Sequence, residues 1–384
     1  MTDRTVVVLG AGTGGIVAAR RLRRSLSATD RVVLVDRSAT FRFAPSFLWV
    51  MTGVRRAEQI ATDRRRLRKS GIEVIEAEVL EIDVAHRKVK TSAADVSFDR
   101  LVIALGAELD PEALPGFADT AHNIYSLAGA ASAGAALSRF EGGRLAVIVS
   151  RLPYKCPAAP YEAAFLAEAL LRDRGVGDRA TIDVYTPEPY PMPTAGPLLG
   201  GALGAMLAER GITLHAQRSL DRIDAATNEL VLTDGERVGY DLLLGVPAHR
   251  APEVLRTSGL AAETGFLPVD RASLATSAEG VFGIGDATAI AIAGGKFLPK
   301  AGVFAEAEAD VVAANIASEL AGRSPTASFD GKGACFVELG DGRAAFASGD
   351  FYDPEAPKIN LRRPGRRWHL AKVAFEKYWL KRWA

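Results

Sequence analysis

Val6-Val7-Val8-Leu9-Gly10-Ala11-Gly12-Thr13-Gly14-Gly15 is the stretch whose reading decides the fold. Four apolar residues in a row suit a short buried strand, and Ile16 to about Leu26 keeps the spacing of an amphipathic helix, so the glycines fall in a strand-to-helix turn. Gly10, Gly12 and Gly15 hold the G-x-G-x-x-G spacing. Gly10 makes the tight turn, Gly12 lets the backbone approach a pyrophosphate, and Gly15 lets the helix pack closely on the strand. The positive end of that helix then faces the pyrophosphate. A second apolar strand, Arg31 to Val35, ends in Asp36, where a ribose hydroxyl needs an acceptor.

Two later segments extend this pattern. Phe98 to Gly106 reads as a strand closing on a glycine, and Gly280 to Asp286 as another. They resemble the paired strand motifs of two-domain flavoproteins, a resemblance that sets Asp286 against the ribityl chain and phosphate of FAD. A further apolar strand, Arg144 to Val149, is followed by a helical stretch from Ala158 to about Arg172, which starts a second βαβ unit. Its connecting loop, Ser150 to Pro157, has no glycine, and Pro153, Tyr154 and Pro157 stand where a phosphate would lie. NADH is therefore not expected as electron donor. That loop carries Cys156 beside Lys155, at a helix start whose positive end favours a thiolate. A buried, inert thiol is the bland alternative.

The chain has 384 residues and a net charge of +1, enough for two ordinary cores and no reason to expect nucleic acid as a partner. The N-terminus leads straight into the first strand without a signal-like core, which predicts a cytoplasmic location. Two cysteines far apart leave redox chemistry, metal binding or burial as their uses, and no further Cys or paired His completes a zinc site, so no metal is expected.

Cys156-Pro157-Ala158-Ala159-Pro160-Tyr161-Glu162 closely resembles a segment of the sulfide:quinone oxidoreductases and of the flavoprotein subunit of flavocytochrome c sulfide dehydrogenase. Phe41 to Arg55 resembles that family's segment beside the flavin, Pro299 to Glu306 its loop and helix against the isoalloxazine ring, and Gly333 to Glu338 its C-terminal redox cysteine. The resemblance implies catalytic parts for Cys156, Cys335, Lys300 and Glu162, the two cysteines meeting as a disulfide or polysulfide bridge. It implies FAD contacts at Gly10, Gly12, Gly14, Gly15, Asp36, Arg37, Ser46, Ala104, Gly106, Tyr161, Gly285, Asp286, Lys300, Ala301 and Gly302. A first-turn carboxylate such as Glu162 is equally explained by the helix dipole, and Lys300 by a solvated surface. Three departures stand out: no third cysteine between Gly106 and Cys156, no histidine after Pro187-Glu188-Pro189, and no cysteine near Pro45 for covalent flavin attachment. FAD is accordingly expected to bind non-covalently.

From Lys358 to Ala384 nine Lys or Arg face the single acid Glu376, and Trp368, Ala371, Phe375, Trp379 and Trp383 follow helical spacings of three and four. Aromatic rings beside cations suit a helix lying in the headgroup layer, a monotopic anchor on the cell membrane near its quinone. Docking on the protein itself or on a second copy is the alternative. Phe336 and Phe375 are candidate walls of a quinone slot. The expected architecture is α/β with two Rossmann-like domains: residues 1–110 with 260–320 for FAD, 111–259 inserted, and a C-terminal amphipathic segment at 321–384. The expected function is sulfide oxidation with a quinone as acceptor. A cytochrome or other soluble acceptor, an NADH:quinone oxidoreductase and a non-catalytic flavin redox sensor are the alternatives.

Overall fold

The computed structural model describes residues 3–384. Along the chain run β1 (Thr5–Leu9), α1 (Thr13–Ser25), β2 (Arg31–Asp36), β3 (Glu73–Glu76) and β4 (Arg100–Ile103). There follow α2 (Leu127–Arg139), β5 (Gly143–Val149), α3 (Ala159–Asp173), β6 (Ala180–Tyr185), α4 (Pro197–Glu209), β7 (Ile212–His215) and β8 (Leu242–Val246). The last part holds β9 (Val281–Gly283), α5 (Gly302–Leu320), β10 (Lys332–Glu338), β11 (Ala344–Asp350), β12 (Lys358–Gly365) and α6 (Arg366–Trp383).

Two parallel sheets share one design. The first has the order β9-β4-β1-β2-β3, and the second places the short strand His122–Asn123 beside β8-β5-β6-β7. Their central strands are apolar runs buried on both faces, as helix-covered parallel sheets require. In each sheet the strand order reverses beside the first strand of its unit, between β1 and β4 and between β5 and β8. That reversal opens a crevice beyond the strand ends, the usual ligand position in such sheets. The fold is therefore the expected α/β architecture with two Rossmann-like units.

The turn after β1 forms as its glycines dictate. Gly10 sits at φ +92°, and a Cβ there would meet the Ala104 carbonyl oxygen at 2.4 Å. At Gly15 a Cβ would lie 1.8 Å from the Gly10 carbonyl, so α1 reaches its strand only without a side chain.

The C-terminal part adds the antiparallel sheet β10-β11-β12 and then α6. The helix forms where its spacing predicts, but Trp379 and Trp383 of the aromatic stripe face the protein, while Phe375 stays exposed. Trp379 and Trp383 are each 1% exposed. Trp379 stacks on Phe41 at 4.9 Å and tilts against Phe43 at 5.4 Å, while both indole N–H groups donate to Glu306, at 3.1 and 3.2 Å. Trp368 stacks on Phe346 of β11. The expectation of a headgroup layer is thus corrected for Trp379 and Trp383. Helical spacing shows that one face is apolar, and Phe41, Phe43 and the β10–β12 sheet supply an apolar surface for it within the chain.

Candidate active site

The first crevice is built for a dinucleotide. No atom lies within 4 Å of where a Gly12 Cβ would stand, and the same holds at Gly106, at φ +70°. No side chain caps the start of α1 and its first turn has no acid, so its amides and dipole are free for an anion. Asp36 braces the turn: its carboxylate accepts from the Ala11 amide at 2.7 Å and from Arg64 at 2.8 Å. Arg64 also donates to the Ala11 and Ser38 carbonyls. Across the crevice, the Gly285 amide donates to buried Glu308, whose acid is raised to about 7 by burial against the pull of that amide. Lys300 Nζ donates to the carbonyls of Asp286 at 2.7 Å and Thr288 at 2.9 Å and lies 3.5 Å from the centre of the Phe266 ring. Burial lowers its pKa to about 8.

At the second crevice the place of a phosphate is filled from within. Tyr154 is buried, and its hydroxyl donates to Glu188 at 2.9 Å; Tyr161 donates to the same carboxylate. Glu188 follows β6 as Asp36 ends β2, yet its carboxylate serves these tyrosines and Thr186 instead of a ribose. Above them Cys156 adopts φ +51°, its amide donating to the Lys300 carbonyl at 2.7 Å and its carbonyl accepting from Tyr125 Oη at 3.0 Å. The sulfur-bearing loop of one unit is thereby tied to the loop that enters α5 in the other.

Cys335, on β10, comes close enough to Cys156 to act on its ionisation, and both are free thiols. Burial first and the Glu162 carboxylate second push the Cys156 thiol far above the ordinary range, and Cys335 is pushed up to about 12 by the same two causes against Lys372. The expected helix-end thiolate at Cys156 is therefore corrected. The Ala159 amide donates to the Cys156 carbonyl rather than to the sulfur, and loss of water outweighs the helix dipole. Beneath the thiols lies a buried charged cluster. Glu162 accepts from Lys372 Nζ at 2.9 Å and from the Glu338 amide at 2.7 Å, and Glu338 pairs with His369 at 3.0 Å. Burial alone would depress Lys372, but Glu162 and Glu338 raise it. Phe336, next to Cys335, lies 6.4 Å from Phe375 and 5.1 Å from Phe346.

With this geometry in place, comparison with known families matches residues 4–149 and 161–309 to the pyridine nucleotide-disulphide oxidoreductase model. The chain belongs to this family. The match breaks across residues 150–160, the stretch that carries Cys156 in place of a glycine turn. Among curated relatives, the mitochondrial sulfide:quinone oxidoreductase of Mus musculus is 26% identical over 90% of this chain and 78% of its own length. The sulfide-quinone reductase of Aquifex aeolicus is 27% identical over 98% and 90%. The solved structure of the sulfide:quinone oxidoreductase from Aquifex aeolicus superposes with a TM-score of 0.88 at 25% identity, covering 98% of this chain and 91% of that one. The resemblance drawn from the Cys156 segment is thus upheld.

For this family member the dinucleotide is FAD, and the open backbone at Gly12 and Gly106 with the uncapped start of α1 fits it. Gly285, Asp286, Ala301 and Ala104 are partly open around the same crevice, with Gly302 exposed. Gly14 and Gly15 are buried and pack the helix rather than face a ligand. Two further expected contacts, both of side chains, are corrected. Ser46 is fully buried with its hydroxyl on Glu376 at 2.7 Å, and Tyr161 is fully buried with its hydroxyl on Glu188, so neither side chain has a face for FAD. Arg37 is exposed and stands 3.7 Å from Glu108. Sequence reasoning passed over Arg64, Glu188, Glu308, Glu338 and Lys372. Taken by itself a charged residue reads as solvated, and only the tertiary fold shows that these are not.

Proposed function

We propose that the chain oxidises sulfide, with Cys156 and Cys335 as the redox pair and a quinone as the final electron acceptor. The observation that carries this reading is the glycine-free loop that ties Cys156 to the Lys300 carbonyl at the FAD crevice, with Cys335 on a distant strand packed against the same core. FAD, when bound, supplies a two-electron acceptor that can return its electrons to a quinone. The protein's own part begins with the bridged form of the cysteines. Hydrosulfide attacks one sulfur; the Cys156–Cys335 bond breaks, a new S–S bond forms, and the attacked cysteine is left as a persulfide while the other leaves as a thiolate. Lys372, raised and buried beneath the pair, offsets that negative charge. Lys300 would add positive charge at the FAD crevice. Tyr154 and Glu188 fill the second crevice, which favours sulfide over NADH as donor.

The quinone reading draws on the aromatic group Phe336, Phe346 and Phe375 beside Cys335. It also draws on the outer face of α6, where Leu370, Phe375 and Tyr378 are exposed among Arg366, Arg367, Lys377 and Lys381. No helix among the described residues is long and apolar enough to cross a membrane. The outer face of α6 is proposed as a surface for anionic lipid, with cations and Tyr at headgroup depth.

The test is anaerobic flavin absorbance, near about 450 nm for an oxidised flavin. Sulfide is expected to bleach it, NADH to leave it unchanged, and a quinone analogue to restore it. Cys156→Ser and Cys335→Ser are expected to retain FAD and lose the bleaching. Bleaching by NADH alone, or unimpaired turnover in either variant, would sink the proposal.

A further inference from the structure

β10 is the edge strand of its sheet and pairs only with β11. The strand and the turn after it also meet α3, and three links fix how the two lie. Glu162, in the first turn of α3, accepts from the Glu338 amide at 2.7 Å. Further along the helix, a Cβ at Gly340 would stand 2.5 Å from the Ala169 Cβ and 3.3 Å from the Phe165 carbonyl oxygen, so backbone meets helix with no side chain between. Near the helix end Arg172 donates to Asp341, whose other oxygen pairs with Arg210 at 3.0 Å. Residues 162, 165, 169 and 172 keep spacings of three and four, which is one face of a helix.

The links advance together, from 162 to 172 on α3 and from 338 to 341 on the other segment. What precedes the first link on each therefore lies at the same end. Cys335 stands before Glu338 by about 10 Å of strand. Cys156 stands before Glu162 by about 4.5 Å of helix from Ala159 and a short turn, which the Ala159 amide closes on the Cys156 carbonyl at 2.9 Å. Of the three links, Glu162 is the one next to both cysteines.

This carboxylate is not a solvated charge at a helix start. It is 4% exposed, and the oxygen that takes the Glu338 amide also takes Lys372 Nζ of α6 at 2.9 Å. Resting on the reading of Cys156 and Cys335 as the redox pair, we infer that Glu162 is a positioning residue that clamps β10 to α3 and so holds Cys335 within bonding reach of Cys156. It supplies an acceptor for one backbone N–H and transfers no proton in this role. Holding two thiols together raises their effective concentration, which favours the bridged form.

The experiment compares Glu162→Gln and Glu162→Met with the unaltered holoprotein. Both remove the charge and keep the length of the side chain, and only Gln keeps an acceptor oxygen. Each protein is equilibrated without air against graded ratios of oxidised to reduced dithiothreitol. The oxidised form takes two electrons and two protons from the thiol pair as the bridge closes, and the remaining thiols are counted by alkylation and mass. Losing one buried hydrogen bond should lower the bridging constant about tenfold in Glu162→Met, while Glu162→Gln stays within about twofold of the unaltered protein. Equal constants in the two variants overturn the clamp, even where Glu162→Met melts lower, since that pattern marks an acceptor serving stability alone. If Glu162→Met does not fold, Glu162→Gln decides: a constant near the unaltered value supports the clamp, and a fall of about tenfold overturns it. An unaltered protein that forms no Cys156–Cys335 bridge at any ratio removes the cysteine pair itself; a bridge that forms there and equally in Glu162→Met removes only the clamp.

Discussion

The decisive quantities at residue scale are costs of burial. Lys300 shows how such a cost becomes a pH profile. Its folded pKa, about 8, is below the ordinary lysine value, so the fold favours the neutral amine. The cost of holding the ammonium is full below about pH 8 and fades as pH rises toward the unfolded value of about 10.4. Stability from this one site therefore rises across that window while its positive charge is lost. If the charge assists electron transfer, the sulfide-dependent rate should fall above about pH 8, and Lys300→Arg should move that limb upward because guanidinium keeps its proton. A rate that stays flat through pH 9 would remove Lys300 from the chemistry. Gly10 and Gly15 were legible in the sequence because backbone geometry forces their identity. The ionisation of Cys156 was not, since the helix-end argument is local, whereas burial comes with the assembled fold and Cys335 and Lys372, whose charges act on it, arrive from β10 and α6.

Among elements, α6 carries the sharpest contrast between its two sides. Its inner side holds Trp379 and Trp383 on Glu306, Lys372 on Glu162, and Glu376 on Arg55 at 2.8 Å. Arg55 and Lys372 also approach the Trp49 ring, at 4.8 and 5.0 Å. Trp379→Ala should therefore cost about 3–5 kcal/mol of stability, read as a lower melting temperature. Leu370→Asp together with Tyr378→Asp, on the outer side, should leave melting nearly unchanged and weaken sedimentation with anionic vesicles. Equal binding of both proteins to vesicles would remove the lipid surface from this helix. The sequence revealed the helix and its apolar stripe because spacing is periodic. Which surface the stripe meets depends on Phe41 and Phe43, more than three hundred residues away, and no local pattern encodes that.

For the molecule as a whole, two copies of one sheet design serve different chemistry because their first loops differ. One loop keeps its glycines open to a dinucleotide; the other fills that space with Tyr154 and lifts Cys156 to the Lys300 carbonyl. The architecture could be read from strand-turn-helix signatures, and the pairing of crevices only from their assembly. The contact of α6 with the segment around Ser46 and Arg55 has a consequence for biosynthesis. Ser46 and Glu376 are 330 residues apart, so at ribosomal speeds of about 5–20 residues per second the early segment waits roughly 20–60 s for its cover. During that interval Phe41, Phe43 and Trp49 lack the helix that later packs on them. Nascent chains halted before α6 should be cut by protease within residues 41–55 and captured by a holdase chaperone, and chains carrying α6 clear of the ribosome should not. The last helix is thus the closing piece of a surface laid down at the start of the chain, and the speed of translation sets how long that surface stays uncovered.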